Sequence, residues 1–298
     1  MAQANPYHVP FGTTAMAFSL PKGMRGTVVV SWQVTPSQQA EAAIAHALAH
    51  PVGAPPLAEL ARPGERVCIV FTDITRSSPD HLLAPAILGE LHRAGVRDED
   101  VTLLCGTGMH RPSTHEEKVR KLGAQVVERY RVIDNEPQDA VALRDLGVTQ
   151  GGVPVILHKA AVEADLLIAT GLVEPHQYAG YSGGRKTVAV GAAGERLIEY
   201  THGPAFVDHP RARLGRIEGN PFHEAITEAA RRAGLRFILN VVLDDDQRIL
   251  KVAAGAPEAT FSELVSFARS VYEAPIPQQV DVAIGAVGYP KDANLYQA

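Results

Sequence analysis

The sequence predicts an α/β fold with a Rossmann-like, largely parallel sheet flanked by helices. Short apolar runs rich in β-branched residues alternate with longer segments of helical apolar spacing, as in parallel strands joined by helical crossovers. The runs at 66–71, 101–104 and 165–169 each end in a polar turn that carries Gly or Asp. Since ligands bind beyond the carboxyl ends of such strands, we expect these turns to converge on one site.

Local signals define the elements of the first half. Alanine dominates 36–50, which favours a helix, and helical apolar spacing over 81–94 stops at Gly95. The predicted elements are strands at 17–20 and 27–32, a helix at 36–50, a strand at 66–71, a helix at 81–94 and a strand at 101–104.

The second half begins with a helix whose start is signalled twice. Ser113 and Thr114 precede Glu116 and Glu117, which gives two overlapping capping-box registers for a helix ending near Leu122. The further predicted elements are a strand at 165–169, a helix at 221–233, strands at 237–243 and 248–253 around a turn at 244–247, a helix at 258–272 and a strand at 280–284.

Composition and charge exclude several classes of protein. The chain has 298 residues, of which 46% are hydrophobic, and its net charge of -5 argues against nucleic-acid binding. It contains no apolar run of about 18 residues and no N-terminal signal pattern, so we expect no membrane span and no secretion. Cys68 and Cys105 lie in apolar runs and are expected to be buried thiols. A cytoplasmic protein is predicted.

The turn after the first strand of the predicted sheet carries Asp73 and Arg76, in the run FTDITR. A carboxylate can accept hydrogen bonds from ribose hydroxyls, and a guanidinium can bind a carboxylate or phosphate with two parallel bonds. Taken alone, the pattern favours a capped turn with a solvated arginine.

Two histidines follow strand ends in equivalent places. His110 lies in GTGMHRP and His176 in EPHQYAG, each after a strand that ends in a Thr-Gly pair or a Gly-rich turn. Imidazoles transfer protons near neutral pH, and two of them could serve the two faces of one substrate. Two unrelated loop histidines are the alternative interpretation.

The run YSGGRKT contains the candidate cofactor-binding residues Gly183, Gly184, Arg185 and Lys186. It lacks the spacing of a P-loop, although its backbone amides could still bind a phosphate. A partly buried Lys186 beside Arg185 should have a lowered pKa, which suits an amine that forms a covalent adduct. The alternative is a solvated basic pair after a turn.

The sequence around His202 matches no metal-ligand motif. With no Cys or carboxylate pair nearby, its spacing does not predict a zinc site. It could ligate a metal whose other ligands belong to a cofactor, but the sequence alone favours a structural histidine.

Together these motifs resemble those of the nickel-dependent lactate racemase family. The resemblance covers nearly the whole chain, and the long central motif is its most specific part. The motifs that carry it are VPFG, FTDITR, GTGMHRP, EPHQYAGYSGGRKTVAVGAAG, TH at 201–202, GNPFHEA and GYPKDANLYQA.

The resemblance implies a racemase or epimerase of 2-hydroxy acids that works by reversible hydride transfer. The implied cofactor is a nickel-pincer nucleotide (pyridinium-3,5-bisthiocarboxylic acid mononucleotide nickel) attached covalently to Lys186, with His202 as the nickel ligand. His110 and His176 would be the acid/base pair. Partners would be a small 2-hydroxy acid and the enzymes that mature the cofactor.

The resemblance further implies that Asp73 binds the nucleotide and that Arg76 is a catalytic and substrate-binding residue. Residues 1–275 would form an N-terminal cofactor-binding catalytic domain, and 276–298 the truncated start of a second α/β domain. Tyr296 and Gln297 would face the substrate, as would a lysine just beyond this chain. Without the rest of that domain, we expect poor turnover.

Two other functions are compatible with parts of the pattern. A cofactor-binding scaffold domain without turnover of its own would share the same motifs. A nicotinamide-dependent dehydrogenase is disfavoured, because no G-x-G-x-x-G run follows the first strand.

Overall fold

The computed structural model describes residues 6–30, 32, 34–37, 39–276, 278–286, 288 and 292. Tyr296 and Gln297, which were predicted to face the substrate, lie outside these residues. The strands are β1 (Tyr7–Phe11), β2 (Thr14–Phe18), β3 (Val67–Thr72), β4 (Val101–Gly106), β5 (Arg131–Asp134), β6 (Leu143–Val148), β7 (Pro154–His158), β8 (Leu166–Leu172), β9 (Pro175–His176), β10 (Gly180–Tyr181), β11 (Leu235–Leu243) and β12 (Ile249–Gly255).

Helices connect and cover these strands. The α-helices are α1 (Ala40–Ala49), α2 (Leu57–Leu60), α3 (Asp80–Arg93), α4 (His115–Leu122), α5 (Ala124–Arg129), α6 (Lys159–Val162), α7 (Gly184–Lys186), α8 (Glu195–Thr201), α9 (Pro204–Val207), α10 (Pro221–Arg232) and α11 (Pro257–Tyr272). A 3-10 turn spans Asp98–Asp100, and a π-helix over Thr187–Gly191 continues directly from α7. Among the described residues, none of the helices has the length and apolar character to cross a membrane.

A six-stranded sheet organises the protein, in the order β12-β11-β8-β3-β4-β5. Neighbouring strands are parallel except β12, which runs antiparallel to β11. Numbered by their order along the chain, the six strands lie as 3-2-1-4-5-6, which is the Rossmann arrangement. The predicted fold class is therefore confirmed. The point where the strand order reverses lies between β3 and β8, so the ligand crevice is expected beyond their carboxyl ends.

Both faces of this sheet are buried, which explains why its strands are continuous apolar runs rather than alternating ones. Every residue of β3 and β8 is buried. Successive residues of β3 point to opposite cores: Val70 packs in the cluster that includes α10 and α11, whereas Ile69 packs with α1 and α3. Cys68 and Cys105 are free and buried, as predicted.

The sequence analysis located the main sheet elements but misplaced others. At the start of α4, Thr114 and Glu117 form the capping box, so the second of the two registers is the one used. The strands predicted at 27–32 and 280–284 are wrong, since their described residues belong to no strand. Val28 and Val282 are more than 60% exposed, so these β-branched runs lack the sheet neighbours that a strand requires. The short strands β5, β6 and β7 were not predicted.

Candidate active site

The polar turns after β3, β4 and β8 meet beyond the carboxyl end of the sheet, as the sequence predicted. Nδ1 of His110 lies 2.6 Å from a carboxylate oxygen of Asp73, across 37 residues of sequence. The charges of Arg76, Glu174 and Asp73 all act on the ammonium group of Lys186. The site is therefore at the reversal point of the strand order.

Asp73 and His110 form a hydrogen-bonded pair. Burial by itself raises the pKa of Asp73, but hydrogen bonds from His110 and from Thr75, at 2.7 Å, outweigh it and hold the pKa below its usual range. The group is thus a carboxylate, which can only accept, so Nδ1 of His110 carries the proton. That leaves the lone pair on Nε2, on a side chain that is 40% exposed. His110 is set up to accept a proton from a ligand in the crevice.

A buried ion pair beneath the site holds the Asp73 turn in place. Nζ of Lys121 lies 2.8 Å from Asp80 and donates to the backbone carbonyls of Arg76, at 3.1 Å, and Ser78, at 2.8 Å. The hydroxyl of Thr170, in β8, donates to Asp80 at 2.5 Å. Sequence analysis missed this pair, because nothing in the local pattern distinguishes Lys121 from a solvated lysine near a helix end.

His176 has the opposite hydrogen-bonding arrangement to His110. Its Nδ1 accepts from the backbone N–H groups of Tyr178, at 3.3 Å, and Ala179, at 3.2 Å. In the neutral ring the proton is then assigned to Nε2. The hairpin β9–β10 turns over residues 177–179, and Gly180 directly after the turn has a φ of +77°. The two histidines therefore differ in tautomer, since Nδ1 carries the proton in His110 and Nε2 carries it in His176.

Aromatic packing brings His176 and His202 to the same cluster. Phe222 lies 5.1 Å from the ring of His202 and 6.3 Å from that of His176, and Tyr178 contacts both histidines. Asn220 caps α10 and donates to the carbonyl of Tyr178 at 2.7 Å, which ties the histidine hairpin to that helix. Tyr178 and Phe222 were missed as site residues, although GNPFHEA was recognised as a motif.

His202 ends α8 with one ring nitrogen occupied. Its Nδ1 lies 2.8 Å from the carbonyl of Ile198, so Nδ1–H donates and Nε2 keeps its lone pair. Burial lowers the pKa of His202, and the charge of Lys186 lowers it further. A neutral imidazole whose other nitrogen donates to a backbone carbonyl is the arrangement of metal-bound histidines. Within the described residues no group of three or more His, Cys, Asp or Glu could hold a metal.

Lys186 is partly buried in the last position of α7. Burial, followed by the charge of Arg76, lowers its pKa to about 7, so much of it is a neutral amine near neutral pH. The π-helix begins at the next residue and packs on the end of β4. Gly106 and Gly191 are in backbone contact there, and Gly108 N–H donates to the carbonyl of Gly191 at 2.9 Å. Lys186 combines the position and pKa of a reactive amine.

Packing accounts for the two glycines before this lysine. Gly183 has a φ of +139°, and a Cβ on Gly184 would lie 2.6 Å from the side chain of Ile238. The amide of Gly184 donates to Asn240 Oδ1 at 2.7 Å, which occupies the group expected to bind a phosphate. A cofactor contact of these glycines stays a prediction.

Arg185 packs towards α10 and α11, and not towards His110, His176 or His202. Its guanidinium lies 3.5 Å from the centre of the Phe261 ring and donates to Thr227, at 2.9 Å, and to His223 Nδ1, at 2.5 Å. Its assignment as a cofactor-binding residue stays a prediction, as does the substrate role of the half-buried Arg76.

Comparison with known proteins agrees with this geometry. The lactate racemase N-terminal domain family matches residues 11–215. A lactate racemase of Lactiplantibacillus plantarum is 39% identical over 252 residues, covering 84% of this chain and 59% of the relative. Another, of Thermoanaerobacterium thermosaccharolyticum, is 33% identical over 294 residues, covering 97% of this chain and 68% of the relative.

Solved structures give the same result. The apoprotein of the Thermoanaerobacterium thermosaccharolyticum lactate racemase superposes with a TM-score of 0.84 at 31% identity, covering 98% of this chain and 69% of that one. A protein of Thermotoga maritima, at 22% identity and a TM-score of 0.63, covers 78% of this chain and 59% of that one and shares the fold. The chain therefore belongs to the lactate racemase family.

Proposed function

We propose that the protein containing this chain is a racemase or epimerase of a 2-hydroxy acid of the lactate type. The observation that carries the proposal is that Lys186 and His202 are both prepared as neutral nitrogen ligands or nucleophiles. An amine whose pKa burial lowers to about 7 lies within electrostatic reach of a neutral imidazole whose Nε2 is left for a metal.

These residues fit a lysine-tethered nickel-pincer nucleotide. Lys186 would form the covalent attachment and His202 would be the one protein ligand of the nickel. Asp73 is a buried carboxylate that only accepts hydrogen bonds. It would bind the nucleotide while keeping its hydrogen bond from His110. When bound, the cofactor supplies a hydride acceptor, which removes the α-hydrogen without building a carbanion beside the substrate carboxylate.

The two histidines handle the proton on the substrate oxygen. His110 accepts the hydroxyl proton at Nε2, and the neighbouring carboxylate of Asp73 stabilises the resulting cation. His176 would carry its proton at Nε2 and donate it to the substrate oxygen from the other face of the crevice. To act as the base for the opposite enantiomer, its Nδ1 must give up the backbone N–H groups of Tyr178 and Ala179. Proton transfer at His176 is therefore tied to movement of that hairpin.

Arg76 would bind the substrate carboxylate, because its guanidinium is near Lys186 and its backbone is held by Lys121. Tyr296 and Gln297 would complete this part of the site. The chain spans 59% and 68% of the two lactate racemases it matches, so these assignments concern the whole protein. The proposal includes cofactor-maturation enzymes as partners and a cytoplasmic location.

The test uses the full-length protein expressed with and without the maturation enzymes. We expect a mass increment on the peptide that contains Lys186, and nickel bound to the protein. Lys186→Ala should abolish both, and Lys22→Ala, at an exposed position, should retain both. Chiral chromatography of enantiopure lactate, malate and aromatic 2-hydroxy acids then identifies the substrate. A full-length, matured protein that carries the adduct but interconverts none of these acids would instead be a cofactor-binding scaffold, and one with no adduct would contradict the proposal altogether.

A further inference from the structure

A cavity lies outside the crevice of the histidines, between α10 and α11. Its volume is about 290 Å³, and Arg185, His223, Phe261 and Arg269 are among its lining residues. At about 30 Å³ for each water molecule in the liquid, this space corresponds to about ten waters. It can hold a small organic ligand, and no part of the proposed racemase mechanism uses it.

Arg185 is the buried cation of this cavity. The residue is only 3% exposed, and its Nη1 is buried without a hydrogen-bond partner among the described residues. Its other partners, Phe261, Thr227 and His223, are all uncharged. Burial lowers the pKa of Arg185 to about 9, so the guanidinium still carries its charge at neutral pH.

The charge of Glu258 favours the charged form of Arg185, but the two groups do not form an ion pair. Among the described side chains, no carboxylate lies within ion-pairing distance of it, and Glu258 is instead paired with Arg231 at 2.9 Å. A smaller cavity beside Arg185, of about 10 Å³, is no larger than the minimum that a single water needs. A water there can satisfy an N–H group but cannot supply a counter-charge. A buried cation without an ion-pair partner is costly, which favours an anion as the ligand of the larger cavity.

The walls restrict what the anion can be. Phe261, Ile217 and Val265 offer apolar surface, whereas Ser262 and Ser266, one helical turn apart on α11, offer hydroxyls. Glu218 and Glu258 also line the space and would repel a dianion about twice as strongly as a monoanion. His223 is neutral, because burial followed by the charge of Arg185 lowers its pKa to about 3. Its Nδ1 accepts from Arg185, so it adds an N–H donor but no charge.

We propose that this cavity binds a small monocarboxylate, with the carboxylate on Arg185 and a short apolar tail against Phe261. A ligand of roughly six to ten non-hydrogen atoms fits the volume. The site is distinct from the crevice of His110 and does not depend on the proposed racemase function. It can therefore be tested on the protein without cofactor.

The experiment measures binding of butyrate and benzoate by calorimetry and ligand-detected NMR to full-length protein carrying Arg76→Gln, which removes the arginine proposed to bind carboxylates in the crevice. We expect both to bind and inorganic phosphate to bind at least tenfold more weakly. Ser266→Phe, at an exposed position on the cavity rim, should weaken binding at least tenfold. Ser270→Phe, one turn further along the same helix and outside the lining, should leave it unchanged.

Arg185→Met should abolish binding, and because it removes an unpaired buried charge it is expected to fold. If it does not fold, the Ser266→Phe and Ser270→Phe pair decides the question. The proposal is overturned if neither carboxylate binds, or if both bind equally well to Ser266→Phe. Loss of racemase activity in any variant has no bearing on this result, since the readout is binding to cofactor-free protein.

Discussion

A carboxylate oxygen of Asp73 lies 2.6 Å from Nδ1 of His110, joining the turn after β3 to the turn after β4. This contact fixes which nitrogen of the imidazole carries the proton, and so decides that Nε2 faces the crevice as an acceptor. His176 has its Nδ1 bound by backbone N–H groups instead. Two histidines that look equivalent in sequence are thus prepared differently for proton transfer.

Asp73→Asn should slow racemisation by the matured full-length enzyme by about 10²–10⁴-fold, because an amide neither holds the Nδ1–H tautomer nor stabilises the cation. Thr75→Val removes only the second hydrogen bond to Asp73 and should cost about tenfold or less. Steady-state kinetics with both enantiomers checks this. Equal rates for Asp73→Asn and the natural protein would show that the pair is not part of the proton path.

Lys186 should react with amine-acylating reagents at lower pH than other lysines. Its pKa of about 7 makes it half neutral near that pH, whereas a solvated lysine has a pKa near 10.5. Peptide mass spectrometry across pH 5–10 should therefore show labelling of Lys186 rising around pH 7, with exposed Lys22 as the internal control. Parallel pH profiles for the two lysines would contradict the lowered pKa.

The same pKa has a consequence for stability. The folded pKa is below the unfolded one, so between about pH 7 and 10.5 the unfolded state binds the extra proton. The destabilisation by Lys186 is therefore complete below about pH 7 and disappears as the pH rises towards 10.5. Lys186→Met should raise the free energy of unfolding at pH 6 more than at pH 10, as measured by urea denaturation. A gain that is independent of pH would contradict this.

The buried ion pair of Asp80 and Lys121 should be costly to break from one side. Lys121→Met leaves an uncompensated carboxylate and frees the carbonyls of Arg76 and Ser78, which should cost about 3–5 kcal/mol of unfolding free energy. The double variant Asp80→Leu/Lys121→Met should be less destabilised than Lys121→Met alone, since no charge remains buried. Chemical denaturation gives the unfolding free energy of both variants. A loss below about 1 kcal/mol for Lys121→Met would contradict the prediction.

Gly191→Ala should destabilise the contact between β4 and the π-helix that follows Lys186. A Cβ at this position would lie 2.9 Å from the Cα of Gly106, and backbone cannot yield as a side chain does. We expect a loss of about 1–3 kcal/mol. Gly89→Ala, inside α3 with nothing within 4 Å of the new methyl group, is the matched control and should stabilise by about 0.5–1 kcal/mol. Thermal unfolding of both variants measures this. Equal changes in stability for Gly191→Ala and Gly89→Ala would contradict the packing argument.

His202→Ala should remove nickel from the matured enzyme while leaving the apoprotein folded. Its Nδ1 contact to Ile198 lies at the end of α8, so its loss costs the fold little. Elemental analysis should show nickel in the natural enzyme and in His209→Ala, but not in His202→Ala. Full nickel occupancy in His202→Ala would identify a different metal ligand.

Much of the fold and the general location of the site could be predicted from local pattern. Continuous apolar runs ending in polar turns predicted β3, β4 and β8, and the rule for parallel sheets predicted that their ends would meet. The short strands β5 and β6 had no comparable pattern, because few of their residues alternate or form apolar runs. Strand β7 lies in the apolar run 153–157 and was overlooked; its proline is unusual inside a strand. The runs at 27–32 and 280–284 had strand composition but no neighbouring strand to pair with, and pairing is a tertiary property.

The sequence by itself determined which chemical groups are present and that they follow strand ends. Only the tertiary structure decided how deeply each group is buried and which atom carries its proton. Arg185 and Lys186 are adjacent in the chain, yet one is buried against Phe261 and the other lies near Asp73 and Arg76. Successive residues of a helix point about 100° apart, so neighbours in sequence face different environments. Burial, proton position and charge balance depend on what packs around each group, and those partners come from distant parts of the chain.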